Sequence, residues 1–218
     1  MSRMTLNLIV LGILSAATQG NALGANIVVN GDFEAPVVVG FYYNIYSSGQ
    51  SFAGWTVGQG STALFTNQFN PGLSDRPYEG HQALQLSATQ GNNGSIYQDL
   101  ATIPGTAYII SFAFASNPFA SETVTMQVGW GGETVANLSA VPSHDLSNSG
   151  WMIESFIINA TQAVTRLEFL NTTSVPDIAG PQIDALTVTA VPEPLSIVMV
   201  GLGVIGAIGF NRVRRDVD

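Results

Sequence analysis

The sequence predicts an all-β protein: a two-sheet jelly-roll β-sandwich, flanked by an N-terminal signal peptide and a C-terminal single transmembrane helix. Three observations predict it. Apolar and polar residues alternate with a period of two through the middle of the chain, and Gly, Pro and Asn clusters interrupt that alternation about every ten residues. The two ends instead carry short apolar runs with no polar alternation. Tyr108, Ile110, Phe112 and Phe114 alternate with Ile109, Ser111, Ala113 and Ala115, and Val124, Met126, Val128 and Trp130 with Thr123, Thr125, Gln127 and Gly129. A period of two marks a strand with one face buried. Further strands are expected over 27–29, 55–57, 63–66, 83–87, 95–100, 133–138, 151–159, 164–170 and 183–189. Turns are expected at Asn30-Gly31, Asn70-Pro71-Gly72, Asn92-Asn93-Gly94, Pro104-Gly105 and Gly131-Gly132. Nine or more short strands with no second core suit a sandwich. Residues 37–52 read as a long aromatic loop.

At the front, Arg3 gives a minimal positive region, 6–14 an apolar stretch, and Ala22, Gly24 and Ala25 small residues for cleavage. This reads as a signal peptide over 1–25, cut after Ala22, Gly24 or Ala25. At the back, an uncharged apolar run over 195–210 follows Pro192-Glu193-Pro194 and precedes Arg212, Arg214 and Arg215. As a helix it would rise about 24 Å, slightly short of a hydrocarbon core unless flanking residues complete the span. Arginine after the helix predicts a cytoplasmic C-terminus.

Pro192-Glu193-Pro194, the apolar run and the terminal arginines together resemble the PEP-CTERM sorting signal of Gram-negative bacteria, over 191–218. The resemblance implies export through the inner membrane and recognition by an exosortase-type membrane peptidase acting near the tripeptide. A transient anchor would then give way to a place at the cell surface or in an extracellular polysaccharide matrix. In such a chain the four Asn-x-Ser/Thr sequons, at Asn93, Asn137, Asn159 and Asn171, read as chance.

Residues 26–190 then form one domain of ordinary size. It holds no lysine and only Arg76 and Arg166, against twelve carboxylates, so nucleic acid is excluded as a partner through any basic patch. Cysteine is absent, so neither disulfides nor thiolate metal sites support the fold. The core must then suffice, or be assisted by a hard cation with oxygen ligands, a structural Ca²⁺.

Several signposts follow one another along this domain: Asn30-Gly31-Asp32-Phe33-Glu34, Gly54-Trp55, Gly80-His81-Gln82-Ala83-Leu84, Gly94-Ser95-Ile96-Tyr97-Gln98, Pro104-Gly105 and Gly180-Pro181-Gln182-Ile183-Asp184. In that order they resemble the galactose-binding-like jelly roll of carbohydrate-binding modules. Within it, the nearest likeness is to the bacterial choice-of-anchor C domain and to plant cell-wall proteins of long-uncharacterised function. The resemblance implies a Ca²⁺ near the junction of first and last strands, where Asp184 would meet Asp32 or Glu34. Alternatively Asp32 caps its own turn, Glu34 is solvated and Asp184 bonds backbone amides. In the alternation Asp184 shares a side with Leu186 and Val188, and a carboxylate on a core face must be paired. The resemblance also implies glycan binding by rings that stack on pyranose faces. Tyr42, Tyr43 and Tyr46 in the aromatic loop, with Phe119 and Trp130 beside turns, are the candidate contacts, whereas Trp151 reads as core.

Catalysis finds little support. The sequence holds no H-E-x-x-H, G-x-S-x-G or phosphate loop. His81 reads as structural, His144-Asp145 as adjacent side chains pointing apart, and Asp75 and Glu79 as surface charge. The expectation is a non-catalytic, exported protein that binds carbohydrate or exopolysaccharide. The alternative is a structural or adhesive matrix protein without glycan specificity, and a glycosidase or polysaccharide lyase ranks below both.

Overall fold

The computed structural model describes residues 24–40, 43–67, 76–89, 93–145, 147–174 and 178–192. Among these residues twelve strands form two sheets: β1 (Tyr43–Ser47), β2 (Ser51–Phe52), β3 (Trp55–Val57), β4 (Ser61–Thr66), β5 (Gln82–Gln85), β6 (Ser95–Ala101), β7 (Ala107–Ser116), β8 (Val124–Trp130), β9 (Glu133–Ala140), β10 (Met152–Asn159), β11 (Val164–Asn171) and β12 (Pro181–Ala190). Sheet A runs β1-β4-β5-β12-β7-β10 and sheet B runs β2-β3-β6-β11-β8-β9. Neighbours are antiparallel throughout, and the chain crosses repeatedly from one sheet to the other. This is the sandwich that the alternation predicts. Among the described residues there is no helix, and none therefore long and apolar enough to cross a membrane. The expected span over 195–210 and the signal peptide through residue 23 lie outside the described residues.

The alternation decides which side chains meet between the sheets. Ile110, Phe112 and Phe114 of β7 face Phe169 and Leu167 of β11, all essentially buried. The ring of Phe112 meets that of Phe169 edge-on at 5.0 Å. Trp55 inserts between the sheets, fully buried, 5.6 Å from Phe33 and 6.4 Å from Phe169. Its indole N–H donates to the Asn30 carbonyl at 3.0 Å, so the one polar atom of that ring is satisfied. Each such side chain stabilises the fold by roughly 1.5–3 kcal/mol through burial alone. Pro104-Gly105 makes the expected tight turn, with Gly105 at φ +86 and its N–H on the Ala160 carbonyl.

Two expectations are corrected. The segment 37–52 is not all loop, because Tyr43–Ser47 forms edge strand β1 against β4 and Ser51–Phe52 forms β2. Tyr46 stacks on Phe52 at 4.5 Å and so joins the two sheets. Residues 27–29 are not a strand, although the first segment does lie beside the last strand. Gly24 and Ile27 donate to the carbonyls of Ala190 and Val188, and Leu186 donates to that of Gly31. Gln98 fastens this segment to sheet B, accepting from the Val29 N–H and donating to the carbonyls of Val29 and Gly54.

The closest approach in this region is at Gly31, where a Cβ would lie 2.0 Å from the Leu186 carbonyl oxygen. Backbone cannot yield as a side-chain tip can. Gly31→Ala is expected to cost about 1–3 kcal/mol or more, read as an earlier midpoint in urea with an unchanged slope.

Candidate functional site

The side of sheet A turned away from sheet B is the unusual one. β4 and β5 are buried along their whole length, so something covers their outer face as well as their core face. Register places Ile45, Ala63 and Gln85 in one row on that face, and Tyr43, Phe65 and Ala83 in the next. Asp184 lies on it too, opposite Ala113. Alternation alone would have put Asp184 on the side of Leu186 and Val188. The ladder between β12 and β7 instead shifts register between Asp184 and Thr187, with Ala185 at φ +52. An extra residue reverses the facing of everything beyond it. Ile183 and Val188 therefore both point to the core while Asp184 points out.

Pointing out does not mean exposed, because Asp184 is completely buried. The segment 76–82 lies over it. Asp184 accepts from the Glu79 N–H at 3.1 Å and from its own neighbour, the Ala185 N–H, at 2.7 Å. Glu34 holds the other end of the segment, with one carboxylate oxygen accepting from the N–H groups of His81 at 2.6 Å and Gln82 at 2.9 Å. Gly80, at φ +61, is required there, because a Cβ would lie 2.2 Å from that oxygen. The Gln82 side chain completes the lashing through the carbonyls of Phe33 and Pro36 and the Val38 N–H.

What this clamp presents is Tyr78. It is 45% exposed, and its ring meets that of Trp151 at 6.2 Å in an edge-on arrangement. Trp151 is fixed in turn by its indole N–H, which donates to the Arg76 carbonyl at 2.8 Å. Two rings are thus held on a fixed backbone above a buried carboxyl. Further along the face lie neutral amides: Asn117 donates to Gln85, and Gln85 donates to the carbonyls of Ser87 and Ile178.

The residues singled out from sequence fall differently. Tyr43 is 57% exposed on the outer face at the β1 edge, whereas Tyr46 is half-buried against Phe52. Phe119 is 60% exposed at the β7–β8 turn. Trp130 is no contact residue: it is buried, packs on Tyr108 at 5.9 Å and donates to the Asn159 carbonyl, because its parity in β8 faces the core. Trp151 was expected in the core and instead stands half-buried on the outer face, just ahead of β10. Tyr78 escaped the sequence reading altogether, with only its place in a Pro-Tyr-Glu-Gly turn as a signal.

Asp32, Glu34 and Asp184 do not come together as a ligand set. Asp32 is exposed beside an open cleft of about 290 Å³ that Asn26, Asn30 and Glu79 also line. Glu34 and Asp184 are both engaged with backbone N–H groups, and among the described residues no three His, Cys, Asp or Glu side chains gather as a metal site. His144 touches the Pro118 carbonyl through Nδ1, and the Asp145 carboxylate accepts from Ser147. Tyr42, Asp75, Glu193, Pro194, Arg212, Arg214 and Arg215 lie outside the described residues, and Pro192 is the last one within them.

The family described as "Protein of unknown function (DUF642)" matches residues 26–189. Among solved structures, the chain is similar to a family 35 carbohydrate binding module from Clostridium thermocellum, at 17% identity and TM-score 0.44, covering 68% of this chain and 98% of that one. A xylan-binding domain from Paenibacillus barcinonensis matches at 16% identity and TM-score 0.44, covering 68% and 93%. A module in complex with β-1,4-galactotriose matches at 11% identity and TM-score 0.43, covering 75% and 97%. No curated protein matches this sequence.

Burial pushes the Asp184 carboxyl up to about 7, helped by the nearby Glu79 charge and opposed by the N–H groups of Glu79, Ala185 and Tyr78. Between the ordinary carboxyl value of 3.8 and about 7, the folded protein keeps a proton that the unfolded chain has released. That contribution to stability is complete below about pH 4 and is lost as pH rises through about 7. The melting temperature is expected to fall from pH 5 to pH 8, and Asp184→Asn to remove most of that slope. An equal slope in both proteins would place the titrating group elsewhere.

Proposed function

The chain belongs to the DUF642 family, and we propose that it is a non-catalytic protein that binds neutral carbohydrate on the outer face of sheet A. The observation that carries this reading is the Tyr78–Trp151 pair, partly exposed and fixed from below by the Asp184 and Glu34 clamp. A sugar ring offers an apolar C–H face edged with hydroxyls. It suits a site made of aromatic faces with a few polar groups around them. Holding the rings on a lashed backbone avoids much of the ordering cost that a free loop would incur on binding.

The surrounding charges favour a neutral ligand. Arg166 is tied to Asp99 by two hydrogen bonds on sheet B, its guanidinium 3.7 Å above the Tyr97 ring, and no lysine exists anywhere in the chain. Arg76, whose carbonyl holds Trp151, is the one arginine beside the rings, and twelve carboxylates against two arginines in the domain leave an anionic polymer little compensation. His144 and Asp145, which a triad would use, are committed to holding loops, at Pro118 and Ser147. The terminal segments support delivery outside the cell. A cleaved signal peptide over 1–25 and a sorting signal over 191–218, read by an exosortase-type peptidase after transient inner-membrane anchorage, would leave the domain at the surface or in an exopolysaccharide matrix.

A glycan array run with the intact chain tests the reading. Tyr78→Ala is expected to weaken binding at least tenfold, about 1.4 kcal/mol, with an unchanged melting temperature. Trp151→Ala should act in the same direction, while Tyr43→Ala, at the far edge of the face, should have little effect. Binding lost with Tyr43 and kept without Tyr78 would move the platform to the β1 edge. A folded protein that binds no glycan would leave a structural matrix role.

A further inference from the structure

Strand β10 closes sheet A on one side and is poorly defended as an edge. Its eight residues pair with β7 in continuous register, without a bulge. It contains no Lys, Pro or Gly and a single charge, Glu154. Natural edges are normally blunted by such residues, because their free N–H and C=O groups invite another strand. Here the side chains invite one as well, with Ile153 54% and Ile157 70% exposed on the outer face and Met152 42% exposed on the other.

The order of residues says which strand fits. In antiparallel pairing, residues directly opposite each other share a face. Centred on Ser155, β10 is self-complementary: Ile153 falls opposite Ile157 of a second copy, Met152 opposite Ile158, and Ser155 opposite itself. All four exposed isoleucines then cover one another in two pairs. Glu154 falls opposite Phe156 and not opposite its own copy, so like charges are never set directly across. The other three edges lack this property, β2 being only two residues long. A two-fold about Ile45 in β1 sets Tyr43 against Ser47, and β9 turns Glu133, Thr134, Asn137 and Ser139 to solvent.

We propose that β10 pairs antiparallel with β10 of a second copy of this chain, about a two-fold axis through Ser155, joining two A sheets into one twelve-stranded sheet. Their outer faces become one surface. The Trp151 positions stand eight register steps apart along the strands, about 27 Å at ~3.4 Å per residue. The inference does not depend on sugar binding, and no glycan enters its test.

The absence of native cysteine makes the test direct. Ser155→Cys in the full chain, held in detergent, is treated with a short thiol-specific cross-linker, with Ser139→Cys as the likewise exposed control on β9. Association through the terminal apolar run would not bring Ser155 to Ser155. The expected result is a covalent dimer formed at least tenfold faster through Ser155→Cys than through the control. Adding Ile157→Lys should bring that rate down to the control, with the thermal melt unchanged because the side chain is mostly exposed. Equal rates at the two cysteines, or a rate that survives Ile157→Lys, would overturn the proposal.

Discussion

A carboxylate cannot be carried into a protein interior without partners, and the burial of Asp184 therefore obliges the chain to bring N–H groups to it. The groups it recruits come from 78–79, more than a hundred residues earlier in the sequence. Once that segment is drawn over the sheet, Glu34 holds its far end and Tyr78 is placed beside Trp151. The bulge at Ala185–Leu186 makes the whole arrangement possible, because it turns the carboxylate to the outer face while Val188 stays in the core. The same irregularity brings the Leu186 carbonyl against Gly31, where only glycine fits. One extra residue thus fixes the segment 24–31, the cover over the sheet and the exposed rings.

The strands were legible because their signal is local. A half-buried strand has a period of two wherever it lies, and nearly every expected strand is present within a few residues. Tyr43–Ser47 was hidden because aromatic side chains on an edge strand show little contrast between faces. The facing of Asp184 was hidden for a different reason: alternation counts residues, and a bulge changes the count without a residue type that announces it. Trp130 and Trp151 exchanged their expected roles through parity and position. Trp130 ends β8 on its core side, while Trp151 stands just ahead of the residues that pair with β7. Tyr78 depends on contacts with residues far away in sequence, which no local pattern encodes.

Without cysteine, the domain joins its distant segments with neutral amide side chains. Gln82 ties down 33–38, Gln98 ties 29 to 54, Asn171 reaches the Leu86 carbonyl, and Gln85 links 87, 117 and 178. Such groups satisfy donors and acceptors in the interior and do not titrate. Among the described residues that leaves Asp184 as the buried carboxyl whose charge responds to mild pH change. The exposed Arg166–Asp99 pair lies in solvent on sheet B, where ion pairs contribute little.

The two ends of the folded domain lie side by side, Gly24 on Ala190 and Val191 on Ala107. This has a mechanical consequence. A domain held through residues beyond Ala190, and pulled at the Tyr78–Trp151 rings, takes the load along β12. That strand is central, ten residues long, and bonded to β7 on one flank and to β5 and the first segment on the other. Tension along it shears many hydrogen bonds at once, whereas a pull that separated the two ends would open them one after another. The geometry resists traction from the face that carries the two rings and yields to peeling from the termini.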